Sequence, residues 1–153
     1  MIDSTYSGIP NMNNAKNRAE IFDILKKVME KDKEVLFAYL YGSYAQDTAH
    51  FESDIDVAVY LKSSDIKEYI KKEEELTIEL VTKIHRDRID LRILNVLPLL
   101  LQYNILKDGI LIFVRDDRER VDFETKVMNR FFELKPYIDE YRQLSLLKIK
   151  AGI

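Results

Sequence analysis

Cysteine is absent from this 153-residue chain, and histidine occurs only twice, glycine four times and proline three times. Without thiols there is no disulfide framework and no thiolate metal site. His50 and His85 do not have metal-ligand spacing. No apolar run reaches bilayer-spanning length, and no basic-then-apolar leader opens the chain. A cytoplasmic location without membrane contact is therefore expected. Neither sign of charge dominates: 24 basic and 27 acidic side chains leave a formal net charge of -3. A dedicated nucleic-acid binder would show a basic balance, so direct nucleic-acid binding is not expected. Repeats and low-complexity tracts are missing. So are the glycines and lysine of a Walker A loop and the glycines of a dinucleotide fingerprint.

What is present suits one globular domain. Hydrophobic residues make up 46% and charged residues 33%, enough for a real core without staples. Residues 1–14, with Gly8, Pro10 and several asparagines, read as a flexible lead-in, and residues 15–153 as the domain. Ala19, Ile21, Phe22, Leu25, Val28 and Met29 recur at helical spacing from Ala15 to about Lys31. Val35 to Tyr41 is a short apolar run ending at Gly42, the pattern of a buried strand. Ser43 to Phe51 reads as a turn opening into a short helix. Asp54 to Leu61 alternates, with Ile55, Val57, Val59 and Leu61 on one face and Asp54, Asp56, Ala58 and Tyr60 on the other.

A helix is expected from about Ser64 to His85, with an apolar stripe of Ile66, Tyr69, Ile70, Leu76, Leu80, Val81 and Ile84. The charged run Lys71 to Glu75 on it reads as a solvated face. Ile89 to Leu94 is a further strand, with Asp90 and Arg92 on its polar face. Pro98 opens a helix to about Lys107, stopped at Asp108-Gly109. Ile110 to Val114 is another strand. The rest, to about Lys148, is helical, with Pro136 marking a break or a fresh start. Alternating strands and helices make the fold α/β.

The chemistry lies in Gly42-Ser43, ten intervening residues, and Asp54-Ile55-Asp56. Strand alternation puts both aspartates on one face. Two ionised carboxylates this close repel, so a cation between them is expected. Oxygen ligands beside a triphosphate suit Mg²⁺. If the strand of Asp90 is a neighbour, three carboxylates reach one patch, at a cost that a metal would remove. Gly42 lets the backbone turn sharply, and a following helical turn can aim N–H groups at phosphate oxygens.

Taken together, Gly-Ser, ten residues, Asp-x-Asp and a later strand carboxylate resemble the polymerase-β-type nucleotidyltransferase superfamily. Asp90 to Asn95, Gln102 to Gly109, Leu111 to Phe113 and the helix from Arg118 through Phe123 are similar to its minimal, MNT-type branch, the antitoxin half of HEPN/MNT toxin–antitoxin pairs. The resemblance implies a mixed central sheet flanked by helices, with a helical C-terminus. It implies that Gly42 and Ser43 hold the nucleotide triphosphate, and that Asp54, Asp56 and Asp90 are the catalytic metal ligands, for two Mg²⁺ ions with ATP as substrate. Asp90 would also help deprotonate the attacking hydroxyl. The implied reaction is AMP transfer to a tyrosine of a cognate HEPN ribonuclease toxin, which silences it.

Where the family commonly has Arg-Gly, this chain has Gln46-Asp47, removing a cation from the phosphate side. That departure keeps open an antitoxin that acts by tight binding alone; related enzymes suggest a second alternative, a small-molecule nucleotidyltransferase of the aminoglycoside-modifying kind. The missing acceptor-binding domain speaks against the second. Arg92 shares the face of Asp90 and could pair with it or with substrate phosphate. His50 reads as an exposed loop residue. Phe131, Phe132, Tyr137 and Tyr141 read first as core; their late position also makes them the first choice for a partner-docking surface.

Overall fold

The computed structural model describes residues 9–45, 54–86 and 88–152, with side chains from Arg18 onward, Tyr44 excepted. Helix α1 spans Ile9–Lys31, strand β1 Val35–Tyr41, β2 Ile55–Leu61, α2 Ile66–Ile84, β3 Ile89–Ile93, α3 Leu99–Asp108, β4 Ile110–Val114 and α4 Asp117–Lys150. Short 3-10 turns follow β1 (Gly42–Tyr44) and β3 (Leu94–Val96). The sheet order is β3-β2-β1-β4. β2 and β3 are parallel and the other neighbours antiparallel, so the sheet is mixed, as expected.

β1 lies inside the sheet with both faces covered, which is why its sequence shows no alternation. A register shift between Val35 and Phe37 places Leu36 and Phe37 toward the same core. On the first face, α1 and α2 bury Leu25, Val28, Met29, Leu76 and Leu80 against Val35, Ala38, Val57 and Val59. On the second, α3 and α4 cover Phe37, Tyr39 and Ala58, with Ile105 buried among them. Phe37 stacks on Tyr60, ring centroids 4.5 Å apart.

Polar side chains close the gaps between elements. Asn95 bonds both backbone groups of Leu61 at 2.9 Å, extending the β2 ladder where the strand ends. The Arg115 guanidinium donates to the carbonyls of Val35, Glu30 and Asp32, capping α1 and tying it to β1. The Tyr39 hydroxyl donates to Glu124, which Arg120 also engages at 3.0 Å. Burial, and then this bond to Glu124, push the Tyr39 hydroxyl pKa upward. The link fastens α4 to β1.

Five expectations are corrected. α1 begins at Ile9, six residues before Ala15; Pro10 sits in its first turn, where a missing N–H does no harm. Residues 1–8 lie outside the described residues. Pro136 does not break α4, which runs through it; Lys135 and Asp139 pair across that turn at 2.8 Å. In α2, Tyr69, Leu76 and Leu80 are buried, but Ile66 and Ile70 are 65% and 63% exposed. Phe132, Tyr137 and Tyr141 are exposed, not core, while Phe131 is half-buried and stacks on Tyr103. Within the run Lys71 to Glu75, Lys72 departs from the solvated face: it pairs with Asp32 at 2.9 Å, both side chains 19% exposed.

Two aromatic residues should respond oppositely to truncation. Phe37→Ala removes a fully buried ring and should lower the unfolding free energy by about 3–5 kcal/mol. Phe132→Ala, at an exposed position, should change it by less than about 0.5 kcal/mol. Urea denaturation of both variants measures this; equal losses would mean that the far part of α4 is packed.

Candidate active site

β2 begins beside the turn that leaves β1, because the two strands are antiparallel. Register pairs Asp56 with Tyr41 on one side and with Asp90 on the other. The Ile55 N–H donates to the Arg88 carbonyl at 2.9 Å, locking the start of β2 against the approach to β3. Neighbouring strands run about 4.8 Å apart, so Asp56 and Asp90 sit side by side on the second face. Asp54 stands exposed just ahead of β2, and its charge also acts on Asp56.

Gly42 has φ +72, the left-handed region that glycine occupies without strain. A Cβ there would strike the Asp56 carboxylate. The glycine therefore serves two needs at one place: it turns the chain and makes room for Asp56. Ser43 follows within the 3-10 turn, and the Ala45 N–H closes it onto the Gly42 carbonyl.

The electrostatics follow from this crowding. Burial, then the charges of Asp90 and Asp54, raise the Asp56 pKa from 3.8 to about 6. The Tyr41 hydroxyl, half-buried beside the same carboxylates, is pushed up to about 12, burial again being the first cause. It stays protonated and can donate at neutral pH. Arg92 relieves part of the repulsion: its Nε lies 3.3 Å from the Asp90 Oδ1.

The structure thus brings together Gly42, Ser43, Asp56 and Asp90, with Asp54 at the rim. It does not draw the three carboxylates into a ready-made cage: among the described residues, no group of three or more His, Asp or Glu is close enough to hold a metal ion. The donor chemistry nonetheless fits a hard divalent cation that uses one or two carboxylates and takes its other ligands from water and phosphate. Asp56 carries a charge conflict that Arg92 offsets only in part, and the lack of a Cβ at Gly42 lets its carboxylate lie against the turn. Gln46, Asp47, His50 and the short helix expected to reach Phe51 lie outside the described residues. Of the two readings of Arg92, pairing with Asp90 is the one observed. Sequence reasoning missed Tyr41; its signal was its position, last in β1 and immediately before Gly42.

The family model for "Polymerase beta, Nucleotidyltransferase" matches residues 23–118. The chain belongs to that nucleotidyltransferase family. Solved structures share the fold. One is a chain of a toxin–antitoxin complex with AMP-PNP, 24% identical at a TM-score of 0.61, covering 82% of this chain and 98% of that one. Another belongs to a tri-AMPylated HEPN toxin from Shewanella oneidensis in complex with an MNT antitoxin, 20% identical at 0.56, covering 84% and 98%. A third belongs to the MntA-HepT toxin–antitoxin complex, 20% identical at 0.54, with the same coverage. No curated protein matches the sequence.

Two predictions follow from the crowding at Asp56. Gly42→Ala should destabilise the fold by about 1–2 kcal/mol for the left-handed backbone alone, and by more as Asp56 is displaced; an unchanged urea midpoint would contradict this. For Asp56 the sign is that of a raised acid. The folded state binds the proton more tightly than the unfolded state, so stability falls as pH rises from about 4 through 6. Asp56→Asn should therefore be more stable than wild type at pH 8, by roughly 1 kcal/mol after allowance for solvent screening, and equal to it below pH 4. Urea titrations at both pH values decide; a variant weaker at pH 8 would show that Asp56 is favourably paired.

Proposed function

We propose that this protein is an antitoxin of the nucleotidyltransferase type, a Mg²⁺-dependent enzyme that moves AMP from ATP to a tyrosine of a cognate HEPN ribonuclease toxin in the cytoplasm. The observation that carries the reading is the placement of Gly42 against Asp56, with Asp90 next to it in register. The AMP-PNP complex and the tri-AMPylated toxin of the structural relatives support it.

In this reading Gly42 and Ser43 present the turn backbone to the triphosphate. Asp54, Asp56 and Asp90 would hold the metal ions. Bound there, divalent cations would neutralise phosphate charge and favour ionisation of the attacking hydroxyl. Asp90, on the edge strand β3, would accept the tyrosine proton. The tyrosine oxygen bonds to the α-phosphorus as the bond to pyrophosphate breaks. Arg92 then has to exchange Asp90 for substrate phosphate, which makes nucleotide binding the step that frees the carboxylate. The remaining work is positioning and charge stabilisation.

A second reading, neutralisation by tight docking without chemistry, is favoured by one observation: Arg92 already occupies Asp90. The two readings separate in one experiment. Wild type, Mg²⁺, α-labelled ATP and the product of the adjacent gene should yield label on a tyrosine of that product. Asp54→Asn with Asp56→Asn should lower transfer at least 100-fold. If that double variant protects cells from the toxin as well as wild type, docking alone suffices and the catalytic reading is wrong.

A further inference from the structure

Helix α4 is 34 residues long, about 50 Å at 1.5 Å per residue, whereas the longest strands beneath it have seven residues, about 23 Å. Its near part packs on the sheet through Phe123 and the buried Val127. The same stripe then runs on at three- and four-residue intervals: Lys126, Arg130, Leu134, Tyr137, Tyr141 and Leu144. This spacing keeps them on one helical face. Tyr137 and Tyr141 are 70% and 72% exposed, and Leu134 and Leu144 are exposed as well. A core-facing stripe therefore continues past the core it faces.

At its root the stripe opens on a cleft of about 300 Å³ between α4, α3 and the start of α2. Tyr60 and Phe123 form its aromatic floor, Gln102 supplies an amide, and Lys126 and Arg130 stand at its edge. Neither cation makes an ion pair among the described residues, although Lys135, Arg120 and Lys72 all do. Tyr60 lies four residues along β2 from Asp56, on the same face, about 13 Å away. The cleft is thus separate from the carboxylate patch.

We propose that this face of α4, from the Lys126–Arg130 cleft to Leu144, is the docking surface for an amphipathic helix of the protein partner, with acidic side chains seated against Lys126 and Arg130. The proposal rests on the antitoxin reading above and adds where the partner binds. Charge complementarity selects the occupant. A second copy laid antiparallel along Leu134 to Leu144 would set Arg130 against Lys148, and a parallel copy would set Arg130 against itself. A nucleic acid would gain phosphate contacts at the root but would leave the tyrosines and leucines wet. An amphipathic helix of about five turns, acidic at the end that meets Lys126 and Arg130, covers both the cations and the apolar stripe. Tyrosine and arginine are also the side chains that most often dominate binding energy.

The test uses full-length protein and the purified product of the adjacent gene, with affinity measured calorimetrically. Lys126→Glu with Arg130→Glu, and separately Tyr137→Gln with Tyr141→Gln, should each weaken binding at least 50-fold. Both should leave binding of AMP-PNP with Mg²⁺ to the free protein unchanged. Raising salt should weaken wild type more than the charge-reversed variant. Undiminished partner binding by either double variant overturns the surface while leaving the antitoxin reading intact. No binding by wild type overturns both. A wild-type dimer that dissociates on Tyr141→Gln, or a single-stranded RNA that binds wild type and is lost with Lys126→Glu, overturns the acidic-helix partner in favour of another occupant.

Discussion

The in-register pairing of Asp56 with Asp90 across the parallel β2–β3 pair is the constraint on which the site depends. Two carboxylates on adjacent strands repel, and the fold accepts this because β2 cannot move. Its other face is packed by Ile55, Val57 and Val59 into the first core, and the Ile55 N–H is held by the Arg88 carbonyl. A slip of one residue would turn Asp56 into that core and Val57 toward solvent. Hydrophobic burial thus holds two like charges together, and the Asp56 pKa is raised first by its own burial and then by the neighbouring charges of Asp90 and Asp54. Gly42 completes the arrangement, since a side chain there would occupy the space over the carboxylate.

The surrounding polar groups then have clear roles. Arg92 offsets part of the Asp90 charge but is half exposed, so a phosphate can compete for it. Tyr41 keeps its proton beside the carboxylates. Farther along the same face, Tyr39, Glu124 and Arg120 clamp α4 to β1. That clamp fixes the near part of α4 against the sheet. The carboxylate patch and the exposed stripe of α4 thus lie toward two ends of one sheet face, joined by the aromatic stack of Phe37, Tyr60 and Phe123.

Much of this was legible in the sequence. β1 and β4 run over the expected residues, Val35–Tyr41 and Ile110–Val114, because an apolar run bounded by glycine or a charge has few other solutions. The faces of β2 follow from strict alternation. The strand order does not, since alternation is blind to which strand lies alongside; only the pairing of β3 with β2 turns Asp90 from a polar-face residue into a site residue. Periodicity also overstated burial. Ile66 and Ile70 continue the apolar pattern of α2, and Tyr137 and Tyr141 that of α4, yet none of the described residues covers them. Periodicity shows that a face is apolar, not that the cover belongs to the same chain. Pro136 misled for a related reason: it removes one hydrogen bond, and the strong helix formers around it retain the rest.

The central claim is that the Asp56–Asp90 patch is built for a divalent cation that arrives with a nucleotide. Thermal unfolding at pH 8 with AMP-PNP, with and without Mg²⁺, tests it most directly. The account predicts that the midpoint of the wild type rises substantially only when both are present, and that Asp56→Asn abolishes the rise. An equal rise in the variant, or a wild-type midpoint indifferent to Mg²⁺, would contradict it.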